Sequence, residues 1–212
     1  MRRFEFWSVV VSAMALSACA IASPDDADAN NNLAPVLDQS SGAIAPKCDD
    51  GERHPAAPAQ IDQFAFLIGD FDITSHIMTP NGWSPPRPGA HARWNGWWGL
   101  GGMMIYDEWY DPDPGYDPES PRGVNVRFFD DQASVWKMMW ISDTGRRVQD
   151  MRAELREGKL TMWQVYPTEI ELVADFTIED EDHWYRVSYT KDEEGAWVPQ
   201  YKLRATRIPC SS

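Results

Sequence analysis

Cysteine is scarce in this sequence, with three residues in 212, and no two of them are close neighbours. There is no Cys-x-x-Cys pair and the four histidines are scattered, which removes the usual donor spacing of a zinc site. A Gly-x-Ser-x-Gly elbow and a glycine-rich phosphate loop are also missing, so the common hydrolase and nucleotide-binding patterns do not apply. Positive charge is in deficit: 19 Lys and Arg stand against 33 Asp and Glu, for a formal net charge of −14. A surface of that sign repels phosphate backbones, which argues against nucleic acid as a partner, and a solvated acidic surface needs no partner of its own. No apolar run approaches the ~18–20 residues that a membrane-spanning helix needs.

What is present begins with a three-part leader. Arg2 and Arg3 form a positive n-region, Phe6 to Leu16 an apolar h-region, and Ser17-Ala18-Cys19-Ala20 a stretch of small residues. Leu16-Ser17-Ala18-Cys19 resembles the bacterial lipobox. That resemblance implies cleavage before Cys19, lipidation of Cys19 and, with Ala20 following it, sorting to the outer membrane. Ala20-Ile21-Ala22 offers a second cut site, which would release a soluble periplasmic protein starting at Ser23. The expected organisation is a signal peptide over 1–18, a disordered Ala-, Asp-, Asn- and Pro-rich tether over 19–58, and one domain over 59–212. Outside the leader only Cys48 and Cys210 remain, one at each edge of that domain. An oxidising compartment permits a bridge between them, contributing about 4–5 kcal/mol in the chain-entropy picture.

Ala59 to Leu67 reads as one short helix. From Gly69 onward the pattern becomes short strands with turn signals between them: Phe71–Met78, His91–Gly99, Gly102–Tyr110, Val124–Asp130, Ser134–Ser142, Arg147–Glu154, Leu160–Tyr166, Glu171–Glu179, Trp184–Lys191 and Trp197–Arg207. This predicts an all-β antiparallel meander of ten strands closed into an up-and-down barrel. Many strands are apolar or aromatic on both faces, as in Val135-Trp136-Lys137-Met138-Met139-Trp140, so the pattern leaves open which face points inward. Tryptophan is unusually frequent, at 11 residues. Trp97, Trp98, Trp109, Trp136, Trp140, Trp163 and Trp184 fall in the proposed strands, where such rings either fill a core or line a cavity.

Phe64-Ala65-Phe66-Leu67-Ile68-Gly69-Asp70-Phe71-Asp72-Ile73, the Val126-Arg127-Phe128-Phe129-Asp130 hairpin with Trp136 and Trp140, and the closing Trp184…Tyr189, Gly195-Ala196-Trp197 and Arg204…Arg207 resemble the DUF1579 family of bacterial proteins. The resemblance covers about Gln63 to Ile208 and rests on order and spacing more than on any single motif. It implies a calycin-like barrel related to lipocalins, fatty-acid-binding proteins and nitrobindins. Gly69-Asp70-Phe71 stands where those barrels carry Gly-x-Trp, with Phe in place of Trp. The glycine permits a tight turn and the ring closes the barrel floor. Nitrobindin-like barrels hold haem through a histidine; no histidine here matches that position, so no cofactor is expected.

The candidate site residues follow from charges embedded among aromatic neighbours. Asp107, Glu108, Arg127, Arg186 and Arg204 share strands with heavy apolar residues, and a charge inside a barrel must be paired. Glu108 and Arg127 are expected to pair across neighbouring strands, either as an inert bridge or as a polar anchor for a ligand's carboxylate or hydroxyl. Trp140 and Trp163 are expected on the cavity wall, and Trp83 and Tyr116, in two long Pro-rich loops at one barrel end, over its opening. The acidic loop Asp111 to Glu119 lacks the order of a calcium loop. No nucleophile is apparent, and only carboxylates such as Asp107 or Glu108 keep an enzyme in view. The expected function is therefore an envelope lipoprotein binding a small apolar or aromatic ligand. The alternatives are a structural or protein-interaction lipoprotein, or a carboxylate enzyme.

Overall fold

Turns rich in Gly, Asn and Asp divide the chain after Gly69 into segments of two to eleven residues that all form strands. The computed structural model describes residues 47–86, 91–111 and 121–210. The leader, Cys19, most of the expected tether and Tyr116 lie outside the described residues. The order is a 3₁₀ helix (Ala59–Leu67), then β1 (Gly69–Thr79), β2 (Gly82–Trp83), β3 (His91–Gly99), β4 (Met104–Tyr110), β5 (Gly123–Asp130), β6 (Val135–Ser142), β7 (Arg147–Arg156), β8 (Lys159–Tyr166), β9 (Ile170–Ile178), β10 (His183–Lys191) and β11 (Trp197–Arg207). A 3₁₀ turn, Leu100–Gly102, takes up Gly102, which the sequence pattern made the first residue of this strand, and β4 begins at Met104.

Each strand pairs antiparallel with its neighbour in sequence, apart from the two-residue β2, which only extends a hairpin from the end of β1. The sheet closes where β1 pairs with β11, from Phe71 opposite Arg207 to Ile77 opposite Tyr201. The result is a ten-stranded antiparallel barrel without a free edge along the ladder, the architecture that the strand count predicted.

The register settles which face points inward. Phe71 and Ile73 are opposite Trp94 and Ala92, and the same face continues through Ile105, Arg127, Met138, Met151, Met162, Phe176, Trp184 and Ala205, all buried. One end of this interior is sealed by the 3₁₀ helix. Phe64 meets Trp136 edge-on at 4.8 Å and Phe176 at 5.7 Å, while Phe66 packs on Phe176 and Trp184. Gln63 accepts the Trp136 indole hydrogen bond at 2.9 Å and ties the helix to β6. Two glycines make this closure possible. Gly69 has φ +113°, a left-handed backbone that lets the helix turn directly into β1. At Gly96 a Cβ would lie 2.0 Å from the Leu67 carbonyl oxygen, so only glycine lets helix and barrel approach.

The segment 47–58, assigned to the tether by its composition, packs on the outer wall instead. The Trp98 amide donates to the Asp50 carbonyl at 2.8 Å and the His54 amide to the Gly102 carbonyl at 3.0 Å. Beneath this segment Asp70 accepts from Arg93 at 2.6 Å, Asn95 at 3.2 Å and the Cys48 amide at 3.1 Å. Cys48 is joined to Cys210 as expected, with Cα atoms 5.7 Å apart.

Candidate functional site in the barrel interior

Antiparallel connectivity places the 3₁₀ helix at one barrel end. The links from β1 to β3 and from β4 to β5 lie at the other, so the two long loops share one end as the strand order implied. The interior has two zones. Near the helix, Phe64, Phe71, Phe129, Trp136, Phe176 and Trp184 form a dry aromatic floor. Toward the other end, inward-facing Ser75, Trp109, Trp140, Gln149, Arg186, Ser188 and Tyr201 keep partial solvent exposure. Solvent therefore reaches these side chains from that end.

A charged layer lies above the floor. Asp107 of β4 and Arg127 of β5 form an ion pair with side chains 0% and 1% exposed. Asn125 donates to the Asp107 carboxylate at 3.2 Å. The Arg127 guanidinium lies 5.2 Å from the Phe64 ring centroid and 5.4 Å from that of Trp94, so its faces are aromatic and its edge meets the carboxylate. Burial holds the Arg127 pKa well below the ordinary arginine value, with the nearby Arg186 charge as a second cause. Arg186, two positions beyond Trp184 on β10, faces the same interior, opposite Phe176 and Leu203. Burial lowers its pKa as well. Several buried polar atoms have no hydrogen-bond partner among the described residues: Nε of Arg127 and of Arg186, the indole nitrogens of Trp94 and Trp184, and Oδ1 of Asn125. Nearer the open end, Ser75 Oγ and the Tyr201 hydroxyl share a 2.6 Å hydrogen bond, and Gln164 binds the Thr168 carbonyl at 2.8 Å.

The sequence-derived candidates divide between the two sides of the wall. Arg127 and Trp140 face inward, and the Trp140 ring occupies the space that a Cβ at Gly123 would need, 2.1 Å away. The expected Glu108–Arg127 pair does not form. Glu108 opposes Val124 on the outer face, where it bonds Lys47 and the Tyr110 hydroxyl; its neighbour Asp107 is the residue that turns inward. Trp163 is also outside, beneath the Arg156 guanidinium at 4.7 Å. Trp83 packs on the outer wall under Lys202 at 4.7 Å rather than over the opening. None of the four histidines faces the interior: His76 bonds the Ser84 carbonyl, His91 bonds Asp72 and His183 bonds Asp180, while His54 belongs to the outer segment.

Sequence reasoning passed over Trp94, Asn125 and Gln164. The signal that marks Asn125 and Arg127 is their phase with Phe129, which is buried, against Phe128, which is exposed. Asp107 is the single carboxylate on the inward face of the described strands, and it is spent on Arg127, so the described interior assembles no acid–base pair. Two open grooves of about 470 and 520 Å³ flank Trp197 on the outside, where Lys191 pairs with Glu171 at 3.1 Å and the Tyr189 hydroxyl donates to Asp175 at 2.9 Å. No protein-family model matches the chain, and no curated protein matches it.

Proposed function

We propose that this chain is an exported calycin-type binding protein of the DUF1579 group. In this reading it is anchored through Cys19 to the outer membrane, faces the periplasm, and holds one small apolar or aromatic molecule in the barrel. The observation that carries the reading is the inner wall, where aromatic side chains and unpartnered polar atoms face an interior whose outer half keeps solvent exposure. The Cys48–Cys210 bridge accords with an oxidising compartment.

A titration with N-phenyl-1-naphthylamine, a neutral apolar fluorophore, tests the binding role. One molecule should bind per chain, quenching interior tryptophan fluorescence. A folded protein that takes up none of it removes the basis for a ligand. Membrane attachment is tested separately: Cys19→Ala should move the protein from the membrane fraction to the soluble one, and unchanged fractionation would reject lipidation.

A second reading, a protein-interaction lipoprotein, has one observation in its favour. On the outer face of β5 to β7, Phe128, Met139, Ile141 and Val148 are 42 to 44% exposed, and Ile141 and Val148 are direct cross-strand neighbours. Charged substitutions at Met139 and Ile141 that abolish envelope function while leaving fluorophore binding intact would favour it.

A further inference from the structure

Among the described residues, the interior carries more positive charge than it neutralises. Two guanidinium groups, Arg127 and Arg186, and one carboxylate, Asp107, are enclosed on the inward face of the described strands, while Arg207, opposite Phe71 at the helix end, is matched by Asp182. The carboxylate is committed to Arg127 and accepts from Asn125. Arg186 has no ion pair and no hydrogen bond among the described residues, and its buried Nε finds no acceptor. One positive charge without a counter-ion among the described residues thus lies inside a chain whose formal net charge is −14. The 33 acidic residues would have supplied a counter-ion readily, yet Phe176 and Leu203 stand directly across from Arg186. Arg186 is only partly exposed and its enclosed Nε has no acceptor among the described residues, an arrangement that costs stability unless an anion meets it.

We infer that Arg186 is the anion anchor of the barrel and that the ligand is an amphipathic monoanion, an apolar or aromatic molecule bearing one carboxylate. The inference rests on the binding role proposed above and specifies its ligand class. The planar guanidinium fork matches a carboxylate with two parallel hydrogen bonds. One spare positive charge balances a monoanion, whereas a phosphate dianion would leave a negative charge in a low-dielectric site. The partly exposed Trp109 and Trp140 rings on the inner wall give the apolar body its contact surface. The Ser188 side chain and the Ser75–Tyr201 pair supply hydroxyls on the same face.

The test uses the full chain with Cys19→Ser, so that detergent does not compete, and follows displacement of N-phenyl-1-naphthylamine by decanoate and by 1-decanol. Decanoate should displace the fluorophore at a concentration at least tenfold lower than decanol. Arg186→Met should cut decanoate affinity at least tenfold and leave the fluorophore and decanol within twofold. Arg186→Lys, which keeps the charge but not the fork, should retain part of the preference. Without ligand, Arg186→Met should melt about 2–6 °C higher, because it removes a partly enclosed charge whose Nε has no acceptor among the described residues. If the fluorophore binds but decanoate and decanol compete equally, or the preference survives Arg186→Met, the anion anchor is wrong and the neutral-ligand reading stands. A lower melting temperature in Arg186→Met would show that the arginine is structural and would equally overturn the anchor. If the fluorophore does not bind at all, the binding role itself fails.

Discussion

Asp107 and Arg127 neutralise each other where neither is reached by water. Such a pair adds little net stability, because desolvation offsets attraction, but losing one member leaves a bare buried charge. Asp107→Asn is therefore expected to lower unfolding free energy by about 3–5 kcal/mol in urea titrations. The double variant Asp107→Leu with Arg127→Met should return close to the wild-type midpoint; a double variant as unstable as the single one would mean that the pair does more than cancel itself. Tyr189 offers a residue-level test of pH dependence. Burial and its hydrogen bond to Asp175 push its pKa from 10.0 up to about 12. The folded state thus holds the phenol proton more tightly than the unfolded chain does. That contribution is complete below pH 10 and is lost as pH rises toward about 12. Tyr189→Phe should flatten this part of the curve of urea midpoint against pH, and an unchanged slope would contradict the assignment. At this scale sequence located the polar residues but not their partners. Glu108 and Asp107 are adjacent, and one step of strand phase decides which of them meets Arg127.

Strand β5 shows why the phase could not be read. Its sequence, Gly-Val-Asn-Val-Arg-Phe-Phe-Asp, puts Val124, Val126 and Phe128 in one alternating set and Asn125, Arg127 and Phe129 in the other. Ordinary alternation would bury the first set, yet the structure buries the second: Asn125 and Arg127 face inward, and Phe128 is 42% exposed against 7% for Phe129. A polar interior beside an apolar outer patch inverts the usual pattern. Strand existence remained legible because turn signals do not depend on phase; His91–Gly99 and Trp197–Arg207 have the bounds that the sequence implied. The 3₁₀ helix was legible for a related reason, since Ile61, Phe64 and Leu67 recur every third residue and all three are fully buried. The inversion itself can be measured. Phe129→Ala should cost about 3–5 kcal/mol, as removal of a buried aromatic does. Phe128→Ser should stay within about 0.5 kcal/mol, as surface changes do. Equal losses at the two positions would refute the register.

At the scale of the whole molecule, closure is achieved twice. The β1–β11 ladder joins the first and last long strands, and the disulfide joins the chain on either side of that ladder. Composition alone put residues 47–58 in a tether. Their polar side chains resemble linker, and their attachment runs through backbone hydrogen bonds and the buried Asp70–Arg93 pair, which hydropathy does not register. Reduction should release this outer segment and lower stability by about 2–5 kcal/mol. Calorimetry with and without a thiol reductant, beside a Cys48→Ser/Cys210→Ser chain as the reduced reference, reads that difference. An unchanged transition would show that the backbone contacts suffice on their own.

The position of Cys48 and Cys210 also decides how the molecule carries a mechanical load. The two cysteines are 162 positions apart in the chain, and Asp70 to Arg207 lie entirely inside that loop. A pull applied through handles beyond Cys48 and Cys210 runs across the covalent bond and bypasses every strand. In a single-molecule stretching experiment the oxidised protein should therefore show no unfolding step at forces that open ordinary barrels. After reduction the same span of 162 positions can pay out, lengthening the chain by about 530–580 Å at ~3.3–3.6 Å per residue. The bridge acts as a shunt: load that enters beyond both cysteines passes through it while the barrel stays unloaded.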